Sequence, residues 1–142
     1  MNTAKDAVLM PVSGQIEYAD MVAAMLPLLK FQTSQITLLH VIEAPISTPL
    51  GSEGMDEIFK ESEMKIKPLQ TWLNKQGYVS NIKLVTARNV ASAIADEAST
   101  SVYSLVFMMK RRKKKGFFGL LSKSVTESVI RMVDCPVVTI LV

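Results

Sequence analysis

The chain reads Ser104-Leu105-Val106-Phe107-Met108-Met109 and then Lys110-Arg111-Arg112-Lys113-Lys114-Lys115, followed by a helix-start signal at Ser124-Val125-Thr126-Glu127. A short apolar run, a polar loop and a helix start predict a strand, a loop and a helix in that order. Open α/β sheets hold their ligands outside the carboxyl ends of the strands. The six basic residues, called the basic loop below, are therefore the first place to look for function.

Four further short apolar runs read in the same way as this strand. They are rich in β-branched residues and continuous, as parallel strands covered on both faces are, and span residues 7–12, 35–42, 81–86 and 136–142. Helical patterns lie between them, over residues 18–30, 53–76 and 90–98 and after Ser124. Strands that alternate with helices build repeated βαβ units with right-handed crossovers. The sequence therefore predicts a doubly wound parallel α/β sheet with helices on both faces.

Prolines and one glycine mark the expected ends of the first two helices. Pro27 should kink or end the helix over residues 18–30, because proline removes a hydrogen bond from the ladder. Pro68 lies inside the second helical pattern and predicts either a kink or a second helix that starts there. Gly77 is a suitable carboxyl cap for that segment.

The last two helices carry amino-terminal caps. Asn89 and Ser124 can accept a hydrogen bond from the first turn of the helix that follows each of them. In the last helix, the spacing predicts that Val125, Val129 and Met132 face inward.

Composition predicts one compact domain over residues 1–142, with 49% hydrophobic and 20% charged residues. The longest near-continuous apolar stretch, residues 21–29, is well short of the roughly 20 residues that a membrane span needs. Residues 1–6 lack the layout of a signal peptide. A cytoplasmic location is expected.

The net charge of +3 is unevenly distributed. Six of the 16 Lys and Arg residues lie in the basic loop, so the rest of the chain has ten basic residues against 13 acidic ones. A local positive patch suits a nucleotide phosphate, a polyanion or an acidic protein surface. The alternative that the run is only a solvated loop without a ligand is also consistent with the sequence. Phe117 and Phe118 adjoin the patch, but one short basic run is weak evidence for nucleic acid or a membrane surface, and neither is expected.

Catalytic and metal chemistry have little support in the sequence. Cys135 and His40 are the single cysteine and the single histidine, so a metal site of the usual His/Cys kind cannot be assembled. Cys135 is predicted to be an inert buried thiol, and His40, inside an apolar strand, a core residue with its hydrogen bonds satisfied. No carboxylates show a spacing for paired acid/base work, and no nucleophile has a recognisable activating base. The chain is not expected to be an enzyme.

Four segments together resemble a known family. They are Ala7-Val8-Leu9-Met10-Pro11-Val12, Leu38-Leu39-His40-Val41-Ile42-Glu43, Ser124-Val125-Thr126-Glu127-Ser128-Val129-Ile130-Arg131 and Cys135-Pro136-Val137-Val138. They are similar to the first strand, the second strand, and the last helix and strand of the universal stress protein family. The resemblance covers essentially the whole chain. It implies a five-stranded parallel sheet of order 3-2-1-4-5 with a Rossmann-like, adenine nucleotide alpha hydrolase-like arrangement, and a homodimer commonly formed through the last strand.

One subgroup of that family binds ATP above strands 1 and 4 through Gly-x2-Gly-x9-Gly followed by Ser or Thr. Counted back from Ser124, those glycine positions hold Lys110, Lys113 and Lys123. Ser13 stands where the subgroup has an acidic residue. Lysine supplies charge as a flexible donor, but it does not restore the close backbone approach that glycine permits. The resemblance therefore implies weak ATP binding or none.

The candidate nucleotide-binding residues follow residue by residue from this resemblance, and they are Pro11, Ser13, Val41, Lys110, Lys113, Lys123, Ser124 and Thr126. No cofactor is firmly expected. ATP or another adenine nucleotide is the open alternative, with Lys110 and Lys113 contacting phosphates in place of backbone amides.

The favoured interpretation is a non-enzymatic regulatory or interaction module of the universal stress type. It would be dimeric, with the basic loop as a docking or anion-sensing element for an acidic protein or an anionic ligand. The alternative is an adenine-nucleotide-binding stress protein. A nucleotide affinity that falls steeply with salt would distinguish the alternative from the favoured interpretation.

Overall fold

A computed structural model describes residues 7–13, 16–26, 35–44, 55–100, 102–110 and 125–142. Five strands and four helices alternate along these residues: β1 (Ala7–Pro11), α1 (Tyr18–Met25), β2 (Gln35–Glu43), α2 (Met55–Lys75), β3 (Val79–Ala87), α3 (Val90–Ala98), β4 (Tyr103–Lys110), α4 (Val125–Met132) and β5 (Val137–Leu141). All five predicted strands are present, and none of their ends differs from the predicted end by more than two residues.

The strands form one parallel sheet in the order β3-β2-β1-β4-β5, which confirms the predicted fold class and order. β1 is the central strand: Val8 pairs with Ile36 of β2 on one side and with Leu105 of β4 on the other. The chain therefore winds outward from β1 in both directions. The point between β1 and β4, where the strand order reverses, is the topological switch point at which such sheets bind ligands.

Each face of the sheet carries its own apolar core. One core packs β1, β2 and β4 against α1 and α2, and its members include Met10, Met25, Leu38, Leu69, Leu73 and Phe107. The other packs the same strands against α3 and α4, and it includes Leu9, Leu39, Ile94, Val106 and Val129. Neighbouring residues of β1 and β2 alternate between the two cores, which is why those strands read as unbroken apolar runs.

α2 is one helix of 21 residues, so the kink-or-second-helix alternatives at Pro68 resolve to a continuous helix. Proline leaves the carbonyl four residues earlier without its partner, and here that residue is Met64, whose side chain is 75% exposed. Water can donate a hydrogen bond to this carbonyl, so the helix tolerates the proline. No helix among the described residues is long and apolar enough to cross a membrane.

Gly77 ends α2, as predicted. Its φ of +96° is a left-handed conformation that glycine adopts without strain. The amide of Tyr78 donates to the carbonyl of Leu73 at 3.2 Å, and that of Gly77 to Asn74 at 3.1 Å. These two bonds form a Schellman motif, which turns the chain directly into β3.

The other helix ends are partly as predicted. The side chain of Asn89 accepts from the amide of Ser92 at 2.8 Å and so caps α3. Ser124, the predicted cap of α4, lies outside the described residues. α1 ends at Met25, and the predicted extension to residue 30 also lies outside them.

Two predictions of burial in the last segments are wrong. In α4, Val129 is buried, whereas Val125 and Met132 are 41% and 47% exposed. The helix has only eight residues, so its inward face is little more than Thr126 and Val129. Cys135 is half-buried rather than buried, because it lies in the short turn between α4 and β5.

A polar network lies on the α3 side of the sheet. The hydroxyl of Tyr103 donates to Glu97 at 2.6 Å, and the ammonium of Lys83 lies 2.5 Å from the other carboxylate oxygen. Burial opposes the charge on Glu97, but the hydrogen bonds from Lys83 and Tyr103 and the charge of Lys83 outweigh it, so the pKa of Glu97 is lowered. Burial, with the bonded carboxylate, raises the pKa of Tyr103 from 10.0 to about 12.

Tyr103→Phe is expected to lower the free energy of unfolding by about 1.5–3 kcal/mol near neutral pH, because it removes a part-buried hydrogen bond to a charged group. The raised pKa of Tyr103 contributes stability that is present below pH 10.0 and is lost as pH rises toward about 12. The lowered pKa of Glu97 contributes stability that is present above its ordinary value of 4.5 and is lost as pH falls below it. Urea unfolding of both proteins at several pH values measures the difference.

The difference between wild type and Tyr103→Phe should therefore shrink above pH 10.0, by up to about 1.4 kcal/mol per pH unit. Tyr18→Phe is the matched control, because its ring is 45% exposed, and it should change the stability by less than about 0.5 kcal/mol near neutral pH. A cost for Tyr103→Phe that stays constant from pH 7 to pH 11 would contradict the assignment.

Candidate functional site at the switch point

A cleft of about 490 Å³ lies at the carboxyl ends of β1, β2 and β4. It is bounded by the residues that follow β1, by the amino-terminal half of α2, and by the first turns of α3 and α4. The reversal of strand order at β1 leaves this space, because the crossover helices on either side of the switch point lie on opposite faces of the sheet. The cleft is thus where the sheet topology predicts a ligand.

The walls of the cleft are mainly apolar, and they are formed by Leu39, Ile42, Ile58, Val90, Ile94, Met108, Met109 and Val125. The two methionines end the buried part of β4 and give part of the surface a flexible, polarizable character. Among the described residues, the ionisable groups in the lining are His40 and Glu43. Such a surface suits a flat, largely apolar group with a few hydrogen-bonding atoms.

Four of the predicted site residues line this cleft together, namely Pro11, Ser13, Val41 and Thr126. They come from β1, the loop after it, β2 and the first turn of α4. Thr126 is 6% exposed, so the start of α4 is fixed against the sheet. Their proximity follows from the parallel sheet, which brings the carboxyl ends of neighbouring strands to one edge.

Lys110 is placed differently from the other predicted residues. It is the last residue of β4 and is not part of the cleft lining. Its ammonium lies 3.8 Å from the carboxylate of Glu127 in α4, and its carbonyl accepts from the amide of Val142 at 2.9 Å. The charge of Lys110 is thereby shared with an acidic neighbour. Lys113, Lys123 and Ser124, with the rest of the basic loop, lie outside the described residues.

His40 is not the buried core residue that the sequence predicts. It is half-buried, and it lines the cleft. Its Nδ1 lies 2.9 Å from the carbonyl oxygen of Val12, while the amide of Val12 donates to Leu39 at 2.8 Å. Val12 still runs beside β2 after β1 has ended, so the imidazole that contacts it lies at the carboxyl edge of the sheet.

The sequence analysis missed the contributions of α2 and α3 to the cleft. Ile58 and Ser62 come from α2, and Val90 and Ile94 come from α3. No local motif marks them, because apolar residues on an amphipathic helix read as core whether they face a sheet or a cavity. The helical spacing of the apolar residues was the one feature of the sequence that could have indicated this lining.

No group of three or more His, Cys, Asp and Glu side chains within the described ranges is placed to hold a metal ion. The described lining of the cleft offers hydroxyls and backbone groups for hydrogen bonds and apolar side chains for contacts.

The fold and the cleft define a doubly wound α/β protein with an open cleft at its switch point. The sequence profile of the Universal stress protein family matches residues 6–140, so the chain belongs to the universal stress protein family. No curated protein matches the chain at a significant level.

Solved structures share the fold along their whole lengths. A universal stress protein family protein from Burkholderia pseudomallei is 20% identical, with a TM-score of 0.68, over 99% of this chain and 98% of that one. The universal stress protein from Archaeoglobus fulgidus in complex with dAMP is 18% identical, with a TM-score of 0.62, over 94% and 95%. A family protein from Arabidopsis thaliana with AMP bound is 16% identical, with a TM-score of 0.61, over 95% and 90%.

Proposed function

We propose that this universal stress protein is a non-enzymatic regulatory module that works as a homodimer and binds its partners through the basic loop. The observation that carries the proposal is the outer edge of β5. The sheet order places β5 at one end, paired with β4 on its inner side. Among the described residues, no strand pairs with its outer side.

The exposed edge of β5 is apolar. The sequence Val137-Val138-Thr139-Ile140-Leu141 contains no charge, its first four residues are half-buried, and Leu141 is 51% exposed. An unprotected apolar edge invites pairing with another strand, and a two-fold partner of the same chain would satisfy both the backbone groups and the side chains.

Light scattering tests the assembly directly. The purified protein at micromolar concentration should have twice the 15.7 kDa mass of one chain. A monomer under these conditions would contradict the dimeric part of the proposal.

The chemistry of the cleft supports a non-enzymatic role. Its described ionisable groups are His40 and Glu43, and the hydrogen bond of His40 goes to the backbone carbonyl of Val12 and not to a hydroxyl. A nucleophile in need of activation would sit within hydrogen-bond reach of its base. Incubation with ATP and with acyl and phosphate ester substrates should therefore give no turnover above the buffer rate.

Changing Arg111, Arg112, Lys114 and Lys115 to Gln is expected to abolish partner capture from lysate while the melting temperature stays about the same. Exposed charges contribute under about 1 kcal/mol each to stability, whereas a partner that neutralises several of them gains from their concentration. Capture by the wild-type protein should also weaken steeply as salt rises. Affinity capture with mass spectrometry provides the measurement.

The matched control for this prediction removes four lysines elsewhere. Lys60, Lys65, Lys67 and Lys75 are exposed residues of α2, and their change to Gln lowers the net charge by the same amount. This variant should keep its partners. Equal loss of capture in both variants would show that total charge matters and not the basic loop.

A second candidate function, adenine-nucleotide binding, is favoured by the cleft. Its volume of about 490 Å³ lies within the roughly 300–1,000 Å³ of typical ligand sites. The Archaeoglobus fulgidus and Arabidopsis thaliana relatives carry dAMP and AMP, which supports an adenine nucleotide here. Mass spectrometry of the supernatant from denatured, freshly purified protein tests for a bound nucleotide. A supernatant without any nucleotide, together with no binding of AMP or ATP in calorimetry, would exclude this second function.

A further inference from the structure

A second, smaller cavity of about 220 Å³ adjoins the cleft. It lies on the α1 and α2 side of the sheet and is called the side cavity below. Four residues line both spaces, namely Val12, Ser13, His40 and Ser62. The two spaces are therefore neighbours that meet at His40 and at the residues after β1.

The side cavity has apolar walls from three elements, formed by Val12, Ile16, Met21, Ile66 and Leu69. All five of these side chains are at most 9% exposed, so the walls belong to the packed core and not to a mobile surface. Tyr18 is 45% exposed and Lys65 is exposed, and these two lie where the cavity opens to solvent.

His40 offers a hydrogen-bond acceptor at the place where the side cavity and the cleft meet. The carbonyl of Val12 can only accept, so Nδ1 of His40, 2.9 Å away, must carry the proton that joins them. In the neutral ring, Nε2 is then an acceptor. No second partner of His40 occurs among the described residues, and no buried side-chain nitrogen or oxygen there is left without a partner, so Nε2 is open to solvent and to a ligand.

We propose that the side cavity is a second ligand compartment, which takes one aromatic ring that bears a hydroxyl or N–H group and donates to Nε2 of His40. Apolar cavities of about 150 Å³ in proteins bind benzene, so 220 Å³ has room for one ring with a small substituent. The thioether of Met21 is a favourable neighbour for an aromatic ring. Lys65, at the exposed rim, is the one lysine or arginine among the described lining residues, so the compartment suits a ring better than the charged end of a nucleotide.

Methionine methyl groups can report on the two spaces separately. Met21 lines the side cavity, whereas Met108 and Met109 line the cleft. Protein labelled with ¹³C in the methionine methyls is titrated with phenol and, as the matched probe without a donor, with toluene. Phenol should shift the Met21 methyl resonance and leave those of Met108 and Met109 unchanged. Phenol should bind roughly five- to tenfold more tightly than toluene, because one neutral hydrogen bond changes a binding constant by about that factor.

Two sets of variants separate the polar contact from the space. His40→Phe should remove the preference, so that phenol and toluene shift Met21 with similar affinity. Ile66→Phe fills the side cavity and should abolish the Met21 shift, while Ile58→Phe, on the same helix but in the lining of the cleft, should leave it unchanged. If His40→Phe does not fold, the isoleucine variants still test the compartment, and equal binding of phenol and toluene by the wild type would exclude the hydrogen bond.

Three results would overturn the proposal. One is the lack of any Met21 shift with either probe at concentrations up to their solubility. Another is a shift confined to Met108 and Met109, which would place the ring in the cleft. The third is a phenol preference that survives in folded His40→Phe, which would show that another group receives the donor.

Discussion

Replacing Thr139 by Lys is expected to dissociate the proposed dimer into monomers at micromolar concentration and to raise the dissociation constant at least about 100-fold. Thr139 is the middle residue of β5 and is half-buried beside Met108 of β4. When two copies of a short strand pair about a two-fold axis, the middle residues lie nearest that axis. The two introduced ammonium groups would then face each other, and like charges at an interface cost several kcal/mol.

The sheet offers a matched control on its opposite edge. Thr86 is a half-buried threonine of β3, the other edge strand, so Thr86→Lys adds the same charge to a comparable position. Light scattering should give a monomer for Thr139→Lys and a dimer for Thr86→Lys. The reverse result would place the dimer interface on β3, and dissociation of both variants would mean that neither edge is specific.

Restoring the subgroup's glycines and acid is expected to strengthen ATP binding by at least about 100-fold. The variant combines Ser13→Asp, Lys110→Gly, Lys113→Gly and Lys123→Gly. Glycine lets the backbone amides approach the phosphates, and an aspartate in the cleft can accept hydrogen bonds from the ribose end of the ligand. Hydrogen bonds to charged groups contribute about 1.5–3 kcal/mol each, so two recovered contacts reach this factor.

The change at position 110 removes a 3.8 Å ion pair in which Lys110 is half-buried and Glu127 is exposed, and such pairs contribute at most about 1 kcal/mol to stability. Calorimetry should show weak or undetectable ATP binding in the wild type and clear binding in the glycine variant. A control with Lys110→Ser, Lys113→Ser and Lys123→Ser removes the same three charges without glycine, and it should gain no affinity. Submicromolar ATP affinity in the wild type would contradict the geometric argument.

The control also distinguishes the two ways in which lysines could act. If their ammonium groups contact phosphates in place of backbone amides, the serine variant should bind ATP more weakly than the wild type, and salt should weaken the wild-type affinity. If only the loop geometry matters, the serine variant and the wild type should behave alike.

The sequence by itself determined the fold and the end of the sheet where a ligand would lie. Parallel strands covered on both faces must be apolar throughout, so β1, β2 and β4 could be read from the residue pattern alone. Asn89 and Gly77 could also be read, because a cap depends on one side chain or one positive φ within its own turn. Strand order and the grouping of Pro11, Val41 and Thr126 came with the family resemblance.

Only the tertiary structure decided which faces and side chains meet. Val125 and Met132 follow a helical spacing, yet they are exposed, because they are the first and last residues of an eight-residue helix and Val125 faces the cleft. His40 lies in an apolar run, yet it ends beside a cavity, because the carbonyl that holds it is that of Val12, which follows β1 and lies 28 residues away in the sequence. Lys110 was assigned to the cleft by counting along the chain, yet its ammonium lies near Glu127 of α4. Local pattern determines secondary structure, whereas the partners of a side chain depend on contacts between distant segments, which no local pattern records.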